Sequence, residues 1–150
     1  TALEESGVVP CGLGSRDILR VEAGLPLYGH ELSDDLSPLS AGLGWVVSKT
    51  KSFIGSEHYQ AARENGTPTK LHGLKLESKR FPAPGATVFL EGQPVGSVSS
   101  GVYSPTLGCG LAFAFLDASV KIGASVEVEL RGGTESAAVV SKRFHVRPKP

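Results

Sequence analysis

Arg16 is the residue whose setting most invites chemistry. It follows Gly12-Leu13-Gly14-Ser15 and precedes Ile18, Leu19, Glu22, Ala23 and Leu25 at near-helical spacing. With Ser15 as N-cap, that pattern puts Arg16 and Asp17 in the first turn of a short helix. A cation there faces the positive end of the helix dipole, at a cost of about 0.3–1 kcal/mol. Two arrangements relieve it. Either Asp17 balances Arg16 at the surface, or an anion such as a carboxylate occupies the helix N-terminus, held by free N–H groups and the guanidinium together. Residue types alone leave both open. Gly12-Leu13-Gly14 lacks the third glycine and the long preceding strand of a dinucleotide loop, and it serves equally as a flexible entry into the helix.

The other reactive side chains form no known constellation. Cys11 and Cys109 lie 98 residues apart, so there is neither a disulfide framework nor a Cys-x-x-Cys metal site. One long-range bridge or two reduced thiols remain. His30, His58, His72 and His145 match no zinc spacing, and no metal is expected. The chain contains no Gly-x-Ser-x-Gly elbow and no Walker loop. Asn65-Gly66-Thr67 forms a glycosylation sequon and reads better as a helix stop.

The elements that must position these residues are mostly short strands. The Arg16 helix runs about ten residues before Gly24 and Pro26 end it. Leu43–Val47 reads as a short strand, and Ser56 as the cap of a second helix over Glu57–Glu64. From Thr69 the period changes to two. Leu74–Glu77, Ala86–Leu90 and Val95–Ser100 read as strands, the last two joined by a loop at Glu91-Gly92-Gln93-Pro94. Leu111, Phe113 and Phe115 alternate with Gly110, Ala112 and Ala114, so large and small side chains fall on opposite faces. Val126, Val128 and Leu130 against Glu127, Glu129 and Arg131 form the cleanest half-buried strand. Gly132-Gly133 turns into Ala137–Val140, with Phe144 and Val146 as a last strand. The fold class is therefore mainly β with short helices (α+β), the strands closing into a barrel or sandwich. The first part, one short helix and one strand, needs the barrel or another domain to cover it.

Composition agrees with a folded chain. The 150 residues include 19 Gly and 10 Pro, 40% are hydrophobic, and 15 Lys+Arg balance 15 Asp+Glu. Zero net charge removes the bulk signature of a nucleic-acid binder. No apolar run approaches the roughly 20 residues of a membrane-spanning helix, and Thr-Ala-Leu-Glu-Glu is not a signal peptide. Neither nucleic acid nor membrane is expected as a partner. The balance is uneven along the chain. Residues 1–35 hold seven acids (Glu4, Glu5, Asp17, Glu22, Glu31, Asp34 and Asp35) against Arg16 and Arg20, while Lys142, Arg143, Arg147 and Lys149 crowd the last nine. Such a distribution is either a solvated surface or a basic face that steers an acidic partner.

Several longer runs resemble the aminomethyltransferase (T-protein) family of the glycine cleavage system. They are Cys11-Gly12-Leu13-Gly14-Ser15-Arg16-Asp17-Ile18-Leu19-Arg20-Val21-Glu22-Ala23-Gly24-Leu25-Pro26-Leu27-Tyr28-Gly29-His30-Glu31-Leu32, Ala41-Gly42-Leu43-Gly44-Trp45-Val46-Val47, and Lys51-Ser52-Phe53-Ile54-Gly55. Further on come Gly96-Ser97-Val98-Ser99-Ser100-Gly101-Val102-Tyr103-Ser104-Pro105-Thr106-Leu107-Gly108 and Val139-Val140-Ser141-Lys142. The motifs follow in register over nearly the whole chain.

The resemblance implies a C-terminal, Greek-key or jelly-roll-like β-barrel over residues 56–150. Residues 1–55 would be the end of a folate-binding domain. It implies transfer of a methylene group from the aminomethyl-lipoyl arm of an acidic H-protein to tetrahydrofolate, with release of ammonia, in the cytoplasm of a bacterium or the mitochondrial matrix of a eukaryote. Arg16 corresponds to a ligand-binding arginine of the family. Tyr28, Trp45 and Tyr103 would then stack on a pterin, or else belong to the core beside the strands. Two features depart from the family. Nothing here corresponds to its essential aspartate, and its tyrosine near the C-terminus is unmatched where this chain reads Phe144-His145-Val146-Arg147-Pro148-Lys149-Pro150. A relative used in iron–sulfur maintenance carries Lys-Gly-Cys-Tyr where this chain has Lys51-Ser52-Phe53-Ile54, and resembles it less. Two alternatives stand beside this reading: a non-catalytic binding or assembly barrel, and the same module in another folate-dependent one-carbon enzyme. Sarcosine and dimethylglycine oxidases and dimethylsulfoniopropionate demethylase are examples of the second.

Overall fold

Alternation along the strands resolves into a sheet that closes on itself. The computed structural model describes residues 2–146. Its strands are β1 (Thr69–Leu76), β2 (Thr87–Leu90), β3 (Gln93–Ser104), β4 (Cys109–Asp117), β5 (Ser125–Leu130) and β6 (Gly133–Val140). They form a closed barrel in the order β1-β4-β3-β2-β5-β6, antiparallel at each junction. β2, β3 and β4 follow one another as a meander, and β1 reaches its place beside β4 through the long β1–β2 connection. That is a Greek key, and closure leaves no edge strand to solvent.

The turn between β2 and β3 is tighter than the spacing suggested. Leu90 pairs with Gln93, so only Glu91 and Gly92 make the turn. Their φ values of 52° and 78° match the mirror-image hairpin turn that suits twisted strands. Gln93 and Pro94 belong to β3.

Two apolar layers share the sheet. Inside the barrel lie Leu74, Leu76, Val88, Ala112, Ala114, Leu116, Val126, Val128 and Val139. On the outer face of β1, β3 and β4 lie Leu71, Val102, Cys109, Leu111 and Phe113, packed with Val21. The large and small faces of β4 are thus both buried, the small residues facing inward. A six-stranded barrel has a narrow interior, and alanines leave room there for the leucines and valines of other strands. The large residues serve the outer layer instead.

That outer layer is closed by a helix. α1 covers Ala2–Glu5, α2 Leu13–Ala23 and α3 Ser56–Asn65. α2 lies over β3 and β4 and contributes Val21, with Ile18 packed at its margin. It begins earlier than expected, because its N-cap is Gly12 in extended conformation rather than Ser15. The second helix likewise starts at Ser56, after Gly55. The expected strand at Leu43–Val47 does not form. That segment is a series of turns, whose carbonyls at Gly44 and Val47 accept hydrogen bonds of 2.7 and 2.5 Å from Arg63 of α3.

Phe144 and Val146 do not form a strand either. The Phe144 and His145 N–H groups both donate to the Glu22 carbonyl, at 3.1 and 2.9 Å. The Phe144 ring stacks on Phe113 at 5.9 Å between centroids and lies over Gly73, where a Cβ would come within 2.8 Å of it. A side chain at position 73 would displace the tail from the helix. Arg147 and Lys149 of the expected basic cluster fall outside the described residues.

α2 ends at Gly24 in the left-handed conformation (φ 79°, ψ 26°), with Gly24 N–H bonded to the Val21 carbonyl and Leu25 N–H to the Arg20 carbonyl. This is a Schellman ending. A Cβ on Gly24 would also lie 2.9 Å from Arg143 Cα. Gly24→Ala is expected to lose about 1–2 kcal/mol from the left-handed backbone alone, read as a lower urea midpoint. A loss below about 0.5 kcal/mol would show that cap and tail relax together and would reject the strain argument.

Candidate functional site

The docking of α2 rests on a buried charged cluster. Arg20, on the barrel side of α2, commits all three guanidinium nitrogens. Nε donates to Asp17 Oδ1, one terminal nitrogen to Glu31 Oε2 and the other to Ser100 Oγ, each at 2.7 Å. Glu31 is completely buried. Its second oxygen accepts from both Ser99 and Ser100 hydroxyls at 2.6 Å, and Oε2 also accepts the Leu27 N–H at 3.0 Å.

Two hydroxyls from adjacent residues reach one carboxylate because β3 is irregular there. The β3–β4 register shifts between Val98 and Ser100, and such a bulge turns neighbouring side chains toward the same side. His30 Nδ1 donates to the Ser99 carbonyl at 3.2 Å, and the Arg20 guanidinium carbon sits 5.7 Å over the Phe113 ring. Two residues further on, buried Glu22 accepts hydrogen bonds from Ser104 and Thr106.

Above this cluster the same helix borders a cleft of about 940 Å³, lined by Arg16, Leu19, Leu25, Pro26, Leu27 and His145 among others. The lining is mostly apolar, and Arg16 is its exposed cation on α2, beside the buried and fully paired Arg20. The first turn of α2 has no side-chain cap and no acidic residue. Arg16 stands four residues beyond the N-cap, a turn further from the dipole's positive end than Ser15-capping would place it. Asp17 does not balance it, because that carboxylate is engaged by Arg20. Among the described residues no acid forms an ion pair with Arg16.

Of the aromatic residues considered for stacking, none lines this cleft. Tyr28 is exposed and donates to Asp34 at 3.1 Å. Trp45 is 81% exposed on the turn that Arg63 holds. Neither belongs to the core. Cys11 is exposed at the cleft and Cys109 buried in the outer layer, both as free thiols.

The acid-rich first segment is only partly a surface. Glu22 and Glu31 are buried along with Arg20, so much of its charge is spent on internal contacts. Lys142 is not a solvated tail residue either. Its ammonium donates to the Ala41 carbonyl at 2.6 Å, and burial, with Arg143 nearby, lowers its pKa. The residues missed in the sequence are Arg20, Glu31, Ser99 and Ser100. For Arg20 the signal was a charge on the helix that also carries Ile18 and Val21, and Glu31, Ser99 and Ser100 become readable only once that partner is known.

His72 carries the other unusual environment. It sits on the side of β1 that also carries Leu74 and Leu76, and its Nε2 is buried without a hydrogen-bond partner among the described residues. Burial lowers its pKa, and the charges of Lys70 and Lys121 lower it further. The folded chain therefore resists protonation at His72 while the unfolded chain accepts it near the ordinary value of 6.5. Stability should fall as pH drops below that value and level off above it. Urea midpoints between pH 5 and 7.5 should show this slope, reduced in His72→Leu. Equal slopes in the two proteins would reject the assignment.

Comparison with known proteins places these features in a family. Residues 70–145 match the glycine cleavage T-protein C-terminal barrel domain, and residues 1–51 match the GCVT N-terminal domain. An aminomethyltransferase of Shouchella clausii is 46% identical over 150 residues, which cover 97% of this chain and 41% of that protein. One from Geobacillus thermodenitrificans is 45% identical over 152 residues, covering 99% and 42%. The crystal structure of glycine cleavage system aminomethyltransferase T from Bartonella henselae superposes with a TM-score of 0.88 at 32% identity, covering 95% of this chain and 41% of that one. The chain thus spans about two-fifths of the length of the curated relatives it matches. With a Greek-key barrel, an arginine-bearing helix on its outer face and both family domains matched in order, this chain belongs to the glycine cleavage T-protein family.

Proposed function

We infer that the chain forms part of a tetrahydrofolate-dependent aminomethyltransferase, with Arg16 as a ligand-binding residue. The reaction is transfer of a methylene group from the aminomethyl-lipoyl arm of H-protein to tetrahydrofolate, releasing ammonia. In this reading residues 1–55 complete the folate-binding domain and 56–150 form the barrel.

The observation that carries the reading is the setting of Arg16. It presents an exposed guanidinium, unpaired among the described residues, at the rim of an apolar cleft, with Asp17 held away by Arg20. A ligand with a flat apolar body and a carboxylate fits such a surface, the apolar part on Leu19, Leu25 and Leu27 and the carboxylate on Arg16. The contribution of this chain is then positioning, which lowers the barrier by placing the acceptor beside the carrier arm. Exposed lysines such as Lys70 and Lys121 suit an acidic carrier protein. The named relatives are bacterial, which suits a cytoplasmic enzyme.

Calorimetric titration of tetrahydrofolate into the 150-residue chain tests the reading. Saturable binding is expected, weakened in Arg16→Ala by about 1.5–3 kcal/mol, the range for a hydrogen bond to a charged group. A folded wild-type chain that takes up no tetrahydrofolate, or an Arg16→Ala variant with the wild-type dissociation constant, would overturn it.

A further inference from the structure

The Arg20–Glu31 cluster costs more than its burial explains. Taking an arginine and a glutamate out of water carries a desolvation penalty of several kcal/mol per ion, and well-packed apolar residues of similar volume often stabilise a core as well or better. Yet this cluster is completely satisfied. Glu31 accepts four hydrogen bonds, and each nitrogen of Arg20 has its own acceptor.

What distinguishes the cluster from apolar packing is direction. It ties three separate pieces of backbone at defined angles: α2 through Arg20, the 25–32 segment through Leu27 N–H and Glu31, and the β3 bulge through Ser99 and Ser100. Leu71, Leu111 and Phe113 press on α2 from the barrel, and such contacts are non-directional. Such packing allows the helix to rotate about its own axis or to slide, and the bonds from Ser104 and Thr106 to Glu22 pin it at one point only. The fork of Arg20 does not allow this, since its bonds hold only at one rotation. Arg16 lies one turn before Arg20 on the same helix face, and Leu25, Pro26 and Leu27 line the same cleft. Two of the three pieces that the cluster joins, α2 and the 25–32 segment, therefore contribute to the cleft, and the β3 bulge anchors them to the barrel.

We propose that Glu31, acting through Arg20 and the Ser99–Ser100 bulge, is a positioning residue that sets the rotation of α2 and so aims Arg16 across the cleft. The proposal rests on the reading of Arg16 as a ligand-binding residue for its choice of probe, but not for its structural content. It predicts that an apolar replacement of the cluster keeps the fold and loses the aim.

The test is the triple variant Arg20→Met/Glu31→Leu/Ser100→Ala in the full 150-residue chain, measured in three ways beside wild type. Thermal unfolding reports the fold, calorimetry with tetrahydrofolate reports the cleft, and amide hydrogen exchange over residues 12–27 reports the hold on α2. The expected result is a cooperatively folded variant, its melting temperature lowered by no more than the stranded Leu27 N–H accounts for, and about tenfold weaker tetrahydrofolate binding, roughly the loss of one well-made hydrogen bond. Exchange over residues 12–27 should be faster, with protection in β1–β6 unchanged. Wild-type affinity together with wild-type exchange in the triple variant would overturn the proposal and leave the cluster as packing only.

Wild-type chain that binds no tetrahydrofolate rejects the functional reading, and the exchange arm then decides the positioning role by itself. Faster exchange over 12–27 upholds it, and unchanged exchange overturns it. Glu31→Gln, which keeps the shape and removes the charge, puts the same question to the same readouts if the triple variant does not fold.

Discussion

Glu31→Ala is expected to destabilise the chain by about 3–5 kcal/mol, the usual result of removing one partner from a buried ion pair. The loss is large because Glu31 is the common acceptor for four donors. Truncation leaves the Arg20 guanidinium, 7% exposed, with Asp17 as its remaining acid, and Asp17 is itself half in water. It also strands the Ser100 hydroxyl, buried on β3, and the Leu27 N–H. Each abandoned donor adds about 1–3 kcal/mol if no water reaches it. Against a typical total of about 5–15 kcal/mol, this variant should stand near the edge of folding at 37 °C. Urea unfolding followed by circular dichroism measures it. A loss below about 1 kcal/mol would mean that water enters and rescues the cluster, and that the segment bearing Glu31 is held by other contacts.

Phe113→Ala should cost a similar amount, about 3–5 kcal/mol, for a different reason. Phe113 is fully buried on β4 and joins three things in the outer layer. It packs under α2 beside Val21, stacks on Phe144 of the tail, and carries the Arg20 guanidinium on its face. Removing the ring opens a cavity between helix and barrel and leaves Gly73 as the floor beneath Phe144. The barrel interior, built from Leu74, Ala112, Ala114, Val128 and their neighbours, is untouched. The variant should therefore lose α2 and the tail before the strands. Amide exchange should separate the two, with α2 exposed at denaturant concentrations where β4 and β5 stay protected. Simultaneous loss of helix and barrel protection would show one cooperative unit and reject that order. Because Phe113 touches Arg20, its effect and that of Glu31→Ala should fall short of additive when combined.

Some of this architecture was legible in the residues before any coordinates. The strand at Val126–Leu130 shows the period of a sheet with one wet face, and it is β5 as read. Gly24 ends α2 in the left-handed conformation and Gly66 ends α3 at φ 80° and ψ 174°, both backbone regions that favour glycine. β4 was legible as a strand but not as to its inner face. Alternation of phenylalanine and leucine with alanine says that two faces differ, not which one is enclosed. Here both are buried, and the choice depends on barrel curvature and on a helix that arrives from nearly 100 residues earlier in the chain.

Misreadings had local causes. Ser15 is a good N-cap residue, but an extended Gly12 starts the helix three residues sooner. Leu43–Val47 is apolar enough for a strand, but Arg63 binds its carbonyls and holds it as turns. Phe144 and Val146 alternate like a strand, yet the carbonyl of Glu22 takes the Phe144 and His145 N–H groups and folds the tail onto α2.

The sequence by itself determined the β-rich class, the C-terminal ends of the two longer helices, the family to which the chain belongs and the choice of Arg16 as the residue to watch. Each depends on neighbours within a few positions, or on motifs matched in order. Only the tertiary structure decided that Asp17 serves Arg20 rather than Arg16, that Glu31 is buried against two serines of a bulge, and that a cleft lies along α2. Asp17 and Arg20 are only three positions apart, but Arg20 is held in turn by Glu31 and Ser100, 11 and 80 positions away, and Glu31 meets its serines across 68 and 69. Whether a charge is a surface ornament or the centre of a buried cluster depends on what the fold brings opposite to it, and the spacing of residues along the chain does not encode that.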